Sequence, residues 1–226
     1  MKGKNNFVTG ISRTASIDHP NYRHVTLDLS KPKKTARFQF SNHEDAEQIV
    51  LVNNAGHIGG IKRAGNQNYR TLAETYKVNL LAPSILINNF INTYRNSTAM
   101  KIIFNISSGA ARRPIDAASS YSASKAGLDM FSRAVAEEQK ITGGDFRIVS
   151  ITVSVVDTVM QKELRNADEK EFSRKQEFVG YKEKGQIIQP EALAEKFVEI
   201  IENIDKINEV VFSIREFDEM KKNFHA

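Results

Sequence analysis

The amino-acid sequence predicts an α/β fold, a doubly wound parallel sheet with helices on both faces. Three observations carry the prediction. Short apolar runs alternate with longer segments of helical periodicity, no 20–50-residue repeat or low-complexity tract breaks the rhythm, and 226 residues suffice for one domain with a substantial core. Strand and helix in this alternation mean parallel strands joined by right-handed crossovers. The whole chain, 1–226, is therefore read as one domain.

Taken in order, FVTGIS (7–12), HVTLDL (24–29) and QIVLVNN (48–54) read as strands. Residues 68–95 carry apolar positions at helical spacing, KIIFNIS (101–107) is the next strand, and 119–142 the next helix. RIVSITVSV (147–155) and EVVFSI (209–214) complete the strands, with a helix over 190–204 between them. Pro190 stands where the first turn of that helix tolerates it. The KPKK run at 31–34 reads as a solvated surface turn or, alternatively, as a phosphate-binding patch.

Composition narrows the classes of function. Hydrophobic residues are 40% and charged residues 26% of the chain, as in folded globular proteins. The formal charge of +5 comes from cations scattered among nearly as many acids, which argues against a nucleic-acid partner. Cysteine is absent, so disulfides, thiolate metal sites and a thiol nucleophile are excluded; the five histidines show no metal-ligand spacing, and no metal is expected. No apolar run approaches the roughly 20 residues that span a bilayer, and MKGKNNF lacks a signal-peptide core. A cytoplasmic protein with no membrane partner is expected.

In doubly wound sheets ligands sit beyond the carboxyl ends of the strands, so the residues following each strand are the candidates. After QIVLVNN come Asn54, Ala55 and Gly56, small enough to let backbone approach a ligand. After KIIFNIS comes Ser108, which reads as a helix cap or as a hydroxyl for chemistry. Thirteen residues on is Tyr121, and Lys125 follows one helical turn later. A tyrosine titrates near pH 10, and a neighbouring ammonium favours its ionised form. With Ser108 holding a carbonyl oxygen and Tyr121 giving it a proton, the set would perform carbonyl reduction. The other reading is that Tyr121 packs on the sheet and Lys125 is an exposed helix charge.

With Asn79 in KVNL added in the same order along the chain, the sequence resembles the short-chain dehydrogenase/reductase family from about residue 7 to 214. AVAEEQ (134–139), VVDTVMQ (155–161) and GISRT (10–14) are similar to its sepiapterin reductase and benzil reductase branch. The resemblance implies a Rossmann-like fold, a small-molecule ketone or diketone substrate, NADP(H) as cofactor, and a homodimer or homotetramer formed through the helices around 68–95 and 119–142. It makes Asn79, Ser108, Tyr121 and Lys125 a catalytic tetrad, with Lys125 also on the nicotinamide ribose and Asn79 supporting a water relay. It places Ser12 and Arg13 at a 2′-phosphate, where a guanidinium forks onto phosphate oxygens. Asp28 and Leu29 would flank the adenine; Asn54, Ala55, Gly56, Val156 and Thr158 would line the rest of the cofactor. Residues 159–188, with Phe172, Phe178 and Tyr181, read as a lid over the substrate or as a plain surface helical pair.

The sequence departs from the family twice. The glycine-rich turn TGxxxGxG that holds the pyrophosphate has no counterpart; TGISRT (9–14) lacks the later glycines. FVTGISRT then aligns with the family's second strand and MKGKN with the tail of a connection, so about 25–30 residues of a first βα unit are expected to be missing. Loss of that strand predicts a gap or unpaired edges in the sheet, and keeps open the alternative of a non-catalytic or inactive protein on the same fold. Second, Val153 and Ser154 stand where the branch has Pro-Gly, so the path of the loop carrying Val156 and Thr158 is expected to differ.

Overall fold

The computed structural model describes residues 6–15, 17–43 and 45–224; MKGKN lies outside them. Its strands are β1 (Val8–Ser12), β2 (Tyr22–Thr26), β3 (Gln48–Asn53), β4 (Met100–Ser108), β5 (Phe146–Val153) and β6 (Val211–Ser213). Every pairing is parallel: β1 with β2, and β3-β4-β5-β6 in that order as a second sheet. The fold is the expected Rossmann-like one. No ladder joins the two sheets among the described residues, so β1 and β3 each keep one unpaired edge, and Val8 and Val52 are exposed there. The segment 9–14 runs as strand β1 as far as Ser12 and passes to β2 without a helix among its described residues.

The helices are α1 (Pro32–Ala36), α2 (Tyr69–Tyr76), α3 (Ala82–Tyr94), α4 (Ser119–Thr142), α5 (Val159–Arg165), α6 (Lys175–Glu183), α7 (Pro190–Glu202) and α8 (Ile214–Lys221). Alternation along the strands feeds two cores. On one face Ile49, Leu51, Ile103, Phe146 and Ile148 pack against Leu86, Ile87, Phe90 and Tyr94 of α3 and Val135 of α4. On the other, Ile102, Phe104, Ile106, Val149 and Ile151 meet Leu193 and Ile200 of α7 and Phe217 of α8. The 36–41 segment is tied to α3: Asn89 Nδ2 donates to the Phe38 carbonyl at 3.0 Å and Tyr94 Oη to that of Ser41 at 2.6 Å. These bonds fix the 36–41 segment to α3.

Three expectations need correction. KPKK is not a turn but opens α1, because Pro32 with its fixed φ suits a first helical position. The strand read at 24–29 occupies 22–26; Asp28 leaves it because its carboxylate accepts the Ser30 N–H in a local turn. Helix α8 was not expected, although Ser213 and Glu216 form a capping box that the sequence displays.

Candidate active site

The helix expected over 68–95 is one continuous rod with a wide π turn, Lys77–Leu81, joining α2 to α3. Such turns swing a side chain out of register. Here the turn lies hard against α4: a Cβ on Gly127 would stand 3.0 Å from Leu80 Cδ2. Asn79, 1% exposed, is thereby carried to the end of β3. Its Oδ1 accepts the His57 N–H at 3.0 Å, and its Nδ2 donates to the His57 carbonyl at 2.9 Å and to Ser124 Oγ at 3.1 Å. Ser124 Oγ in turn donates to the Tyr121 carbonyl at 2.7 Å.

Ser108 ends β4, and its reading as a helix cap is borne out. Its Oγ accepts the Ala110 N–H at 3.2 Å as cap of a short 3₁₀ turn, and it hydrogen-bonds the Tyr121 hydroxyl. Tyr121 and Lys125 lie on the sheet-facing side of α4, 7% and 4% exposed, which excludes an exposed helix charge for the lysine. Lys125 Nζ donates to the Ile106 carbonyl at 2.7 Å and sits 6.0 Å from the centre of the Tyr121 ring. Ser108, Tyr121, Lys125 and Asn79 therefore converge where β3 and β4 end.

One electrostatic expectation is overturned. Lys125 does not depress the tyrosine pKa in this structure; burial raises it above its usual 10.0, and the Ser108 hydrogen bond, not the ammonium, opposes the rise. The ammonium is turned onto a backbone carbonyl, and its own pKa is pushed down to about 8 by burial, against the field of Asp129.

The proposed cofactor residues fall into two groups. Asn54, Ala55 and Gly56 lie exposed at the end of β3 beside the tetrad; a Cβ on Gly56 would stand 3.3 Å from Asn79 Oδ1 and 3.5 Å from Lys125 Nζ, so only glycine leaves this cradle open. Val156 bridges in parallel to Ile188 through bonds made by Val155 and Asp157, which leave the amide and carbonyl of Val156 directed away from Ile188. Thr158 precedes α5 with its side chain exposed and not capping it. At the other sheet, Ser12 Oγ donates to the Thr14 carbonyl, and the exposed Arg13 is close enough to Asp28 to help hold its carboxyl below the usual range, after the larger effect of Ser30. A groove of about 340 Å³ opens beside Asp28, lined by Ser30, Lys31, Arg70 and Lys77. Leu29 packs its side chain against the α3 core.

These residues fit a nicotinamide dinucleotide at its two ends: the Gly56 cradle beside Lys125 for the nicotinamide ribose, the Arg13–Asp28 end for the adenosine. Among the described residues no glycine-rich turn leads into a helix for the pyrophosphate. Groups of three or more potential metal ligands are likewise absent among the described residues, and none of their helices is long and apolar enough to cross a membrane.

Residues 159–188 fold over Tyr121. Leu164, Phe172 and Phe178 form one buried cluster with Tyr121, Ile58 and Ala118, with Met160 and Tyr181 against it. The segment is latched at its rim. Glu171 accepts from the Arg63 N–H at 3.1 Å, Asn66 Nδ2 at 3.0 Å and Lys62 Nζ at 3.4 Å, and Asp116 accepts the Ser173 N–H at 2.8 Å. Within it Glu177 accepts both forks of Arg174 at 2.6 Å and the Tyr181 hydroxyl, which holds its carboxyl at about 2. Because that pKa is depressed from 4.5, its stabilisation is present above 4.5 and is lost as pH falls through about 2. Protease susceptibility of 166–185 is thus expected to rise over that interval before the core unfolds, as read by limited proteolysis with an acid protease.

The fold and this set of hydroxyl, phenol, ammonium and amide define an oxidoreductase of the dehydrogenase and reductase class. A profile described as short chain dehydrogenase matches residues 8–169, and the chain belongs to that family. It is 32% identical over 221 residues to benzil reductase ((S)-benzoin forming) of Bacillus subtilis, covering 95% of this chain and 90% of that protein. Sepiapterin reductase of Xenopus tropicalis is 26% identical over 160 residues, 70% of this chain and 59% of that one. Among solved structures, a short chain dehydrogenase/reductase from Saccharomyces cerevisiae superposes with a TM-score of 0.78 at 19% identity, covering 94% of this chain and 87% of the other. Serine dehydrogenase complexed with NADP+ superposes with a TM-score of 0.69 at 17% identity, covering 93% and 85%. The family resemblance read from the sequence is thereby borne out at the level of family and fold.

Sequence reasoning missed His57, Ser124, Asp129 and Ser150 around the site. Ser124 and Asp129 had one available signal, their places one turn beyond Tyr121 and one turn beyond Lys125 respectively.

Proposed function

We propose that the protein is an NADPH-dependent carbonyl reductase acting on small ketones or vicinal diketones. The observation that carries this reading is the buried convergence of Ser108, Tyr121, Lys125 and Asn79 at the carboxyl ends of β3 and β4, under an apolar cover. When bound, the nicotinamide supplies hydride to the carbonyl carbon. Ser108 then holds the carbonyl oxygen, and Tyr121 delivers the proton to it. A phenol with a raised pKa is fully protonated at neutral pH, the state a proton donor for reduction requires. Lys125 offers its ammonium to the ribose, and Asn79 fixes the loop carrying His57 against Ser124 and supports the proton relay. The lid excludes water.

Arg13 with Ser12 supports a 2′-phosphate, and hence NADP over NAD. Identity to a benzil reductase over nearly the full length of both chains supports a diketone substrate. Leu81 in the π turn and Met130 on α4, 43% and 65% exposed, support self-association through these helices, and the proposed location is cytoplasmic. The test is a titration of NADPH by its fluorescence, followed by addition of a vicinal diketone such as benzil and measurement of nicotinamide absorbance. Saturable binding with stoichiometric oxidation is expected. Binding without oxidation of any diketone would favour the non-catalytic alternative, and NADH binding as tightly as NADPH would remove Arg13 from its role.

A further inference from the structure

We infer that Asp129 is a positioning residue for the reaction: its carboxylate, clamped by Ser150, is the counter-charge of the buried Lys125 ammonium. The inference rests on the reductase reading for its consequence in turnover, and on the one-turn spacing and shared burial of the two side chains for the pairing itself.

Tyr121, Lys125, Asp129 and Ser132 are spaced four, four and three along α4, one stripe facing the sheet, and all are buried. Opposite them the strands present a row in register, Asn53 beside Asn105 beside Ser150. Asn53 Nδ2 donates to Asn105 Oδ1 at 2.8 Å, Asn105 Nδ2 to Ser132 Oγ at 2.9 Å, and Ser132 Oγ to the Leu128 carbonyl at 2.7 Å. At the end of the row Ser150 Oγ donates to Asp129 Oδ1 at 2.6 Å. The amide oxygen of an asparagine at 129 would accept that hydroxyl as well. Hydrogen bonding therefore accounts for an oxygen at 129 but not for a charge, and a buried charge is costly unless paired.

The cation one turn away accounts for it. Lys125 is 4% exposed and satisfied by only a neutral carbonyl. The other ionisable groups on the surrounding elements face elsewhere or are engaged. On β4, Lys101 pairs with Asp145; on β5, Arg147 donates to the Ile204 and Ile207 carbonyls; on α8, Glu216 takes Arg112. Glu74 and Lys77 are exposed on the far rod, and His57 accepts the Gly59 N–H at 3.2 Å. Tyr121 is held as the neutral phenol. Asp129 is thus the negative charge that acts on the lysine, and it opposes the burial that draws Lys125 down to about 8.

The test follows the Lys125 amine directly, by NMR titration of cofactor-free protein labelled at lysine Cε and Nζ, with the resonance assigned through Lys125→Met. Wild type is expected to titrate near 8, and Asp129→Asn lower by about one pH unit or more, with Asp129→Glu recovering most of the difference. The alkaline limb of kcat/KM for ketone reduction should move in the same direction. A merely structural aspartate would lower Tm and leave both midpoints in place, and an unchanged midpoint in Asp129→Asn overturns the inference. If Asp129→Asn does not fold, Ser150→Ala decides: releasing the clamp should lower the midpoint by less, and no movement is again contradictory. If wild type reduces no ketone, the reductase reading fails while the NMR titration still judges the pair.

Discussion

Tyr121→Phe lowers ketone turnover by about 10²–10⁴-fold, the range that loss of a general acid produces. NADPH affinity should stay within about twofold, because the ring that touches the site is kept and only the proton donor goes. The fold should survive: the hydroxyl's partner, Ser108, still accepts the Ala110 N–H as a cap, and the aromatic face still fills the cluster of Leu164, Phe172 and Phe178. A circular-dichroism melt beside steady-state kinetics separates the two. The pH dependence has a defined sign. A phenol raised above 10.0 is protonated throughout the neutral range, so reduction should be flat there and fall on the alkaline side as Lys125 loses its proton near 8. Alcohol oxidation, which needs the phenolate, should be the slower direction at neutral pH.

Asn79→Ala should cost stability as well as rate. The side chain is 1% exposed and satisfies the His57 N–H, the His57 carbonyl and Ser124 Oγ together. Truncation leaves buried polar groups without partners, each worth about 1–3 kcal/mol. Allowing for partial relaxation of the 54–60 loop, a loss of about 2–4 kcal/mol is expected. For a chain of this size that lowers Tm by roughly 5–15 °C. The loop it anchors places Gly56 where an added Cβ would stand 3.5 Å from Lys125 Nζ, so its displacement misplaces the cradle, and turnover should fall by roughly 10²-fold. A variant with unchanged Tm and reduced rate would confine Asn79 to the proton relay; one with unchanged rate would remove it from the site.

The strands and principal helices were legible because their apolar periods are set by burial on the two faces of one sheet. Helix 119–142 matches residue for residue, QIVLVNN overlaps β3 up to Asn53, and KIIFNIS lies in β4. The Tyr121–Lys125 spacing was legible for the same reason, since one helical turn puts both on one face. What escaped depends on distant packing. The direction of the Tyr121 shift is set by Phe172 and Phe178, some fifty residues away, which cover the phenol and exclude water. The π turn at Lys77–Leu81 has no marker in KVNLL; it exists because Gly127 lets α4 approach Leu80. The split between the β1-β2 pair and the main sheet was anticipated from the missing glycine turn, whereas the bonds of Asn89 and Tyr94 that fix the 36–41 segment to α3 were not.

The central claim is that the chain moves hydride onto a carbonyl carbon and a proton from Tyr121 onto its oxygen. Reduction of a vicinal diketone with NADPH deuterated at the transferable position of the nicotinamide tests it in one spectrum. Deuterium is expected on the carbinol carbon of the product, with one equivalent of cofactor oxidised per hydroxyketone formed and no carbon label from D₂O. A product whose carbinol carbon carries solvent deuterium, or recovery of both NADPH and diketone unchanged, would contradict the account.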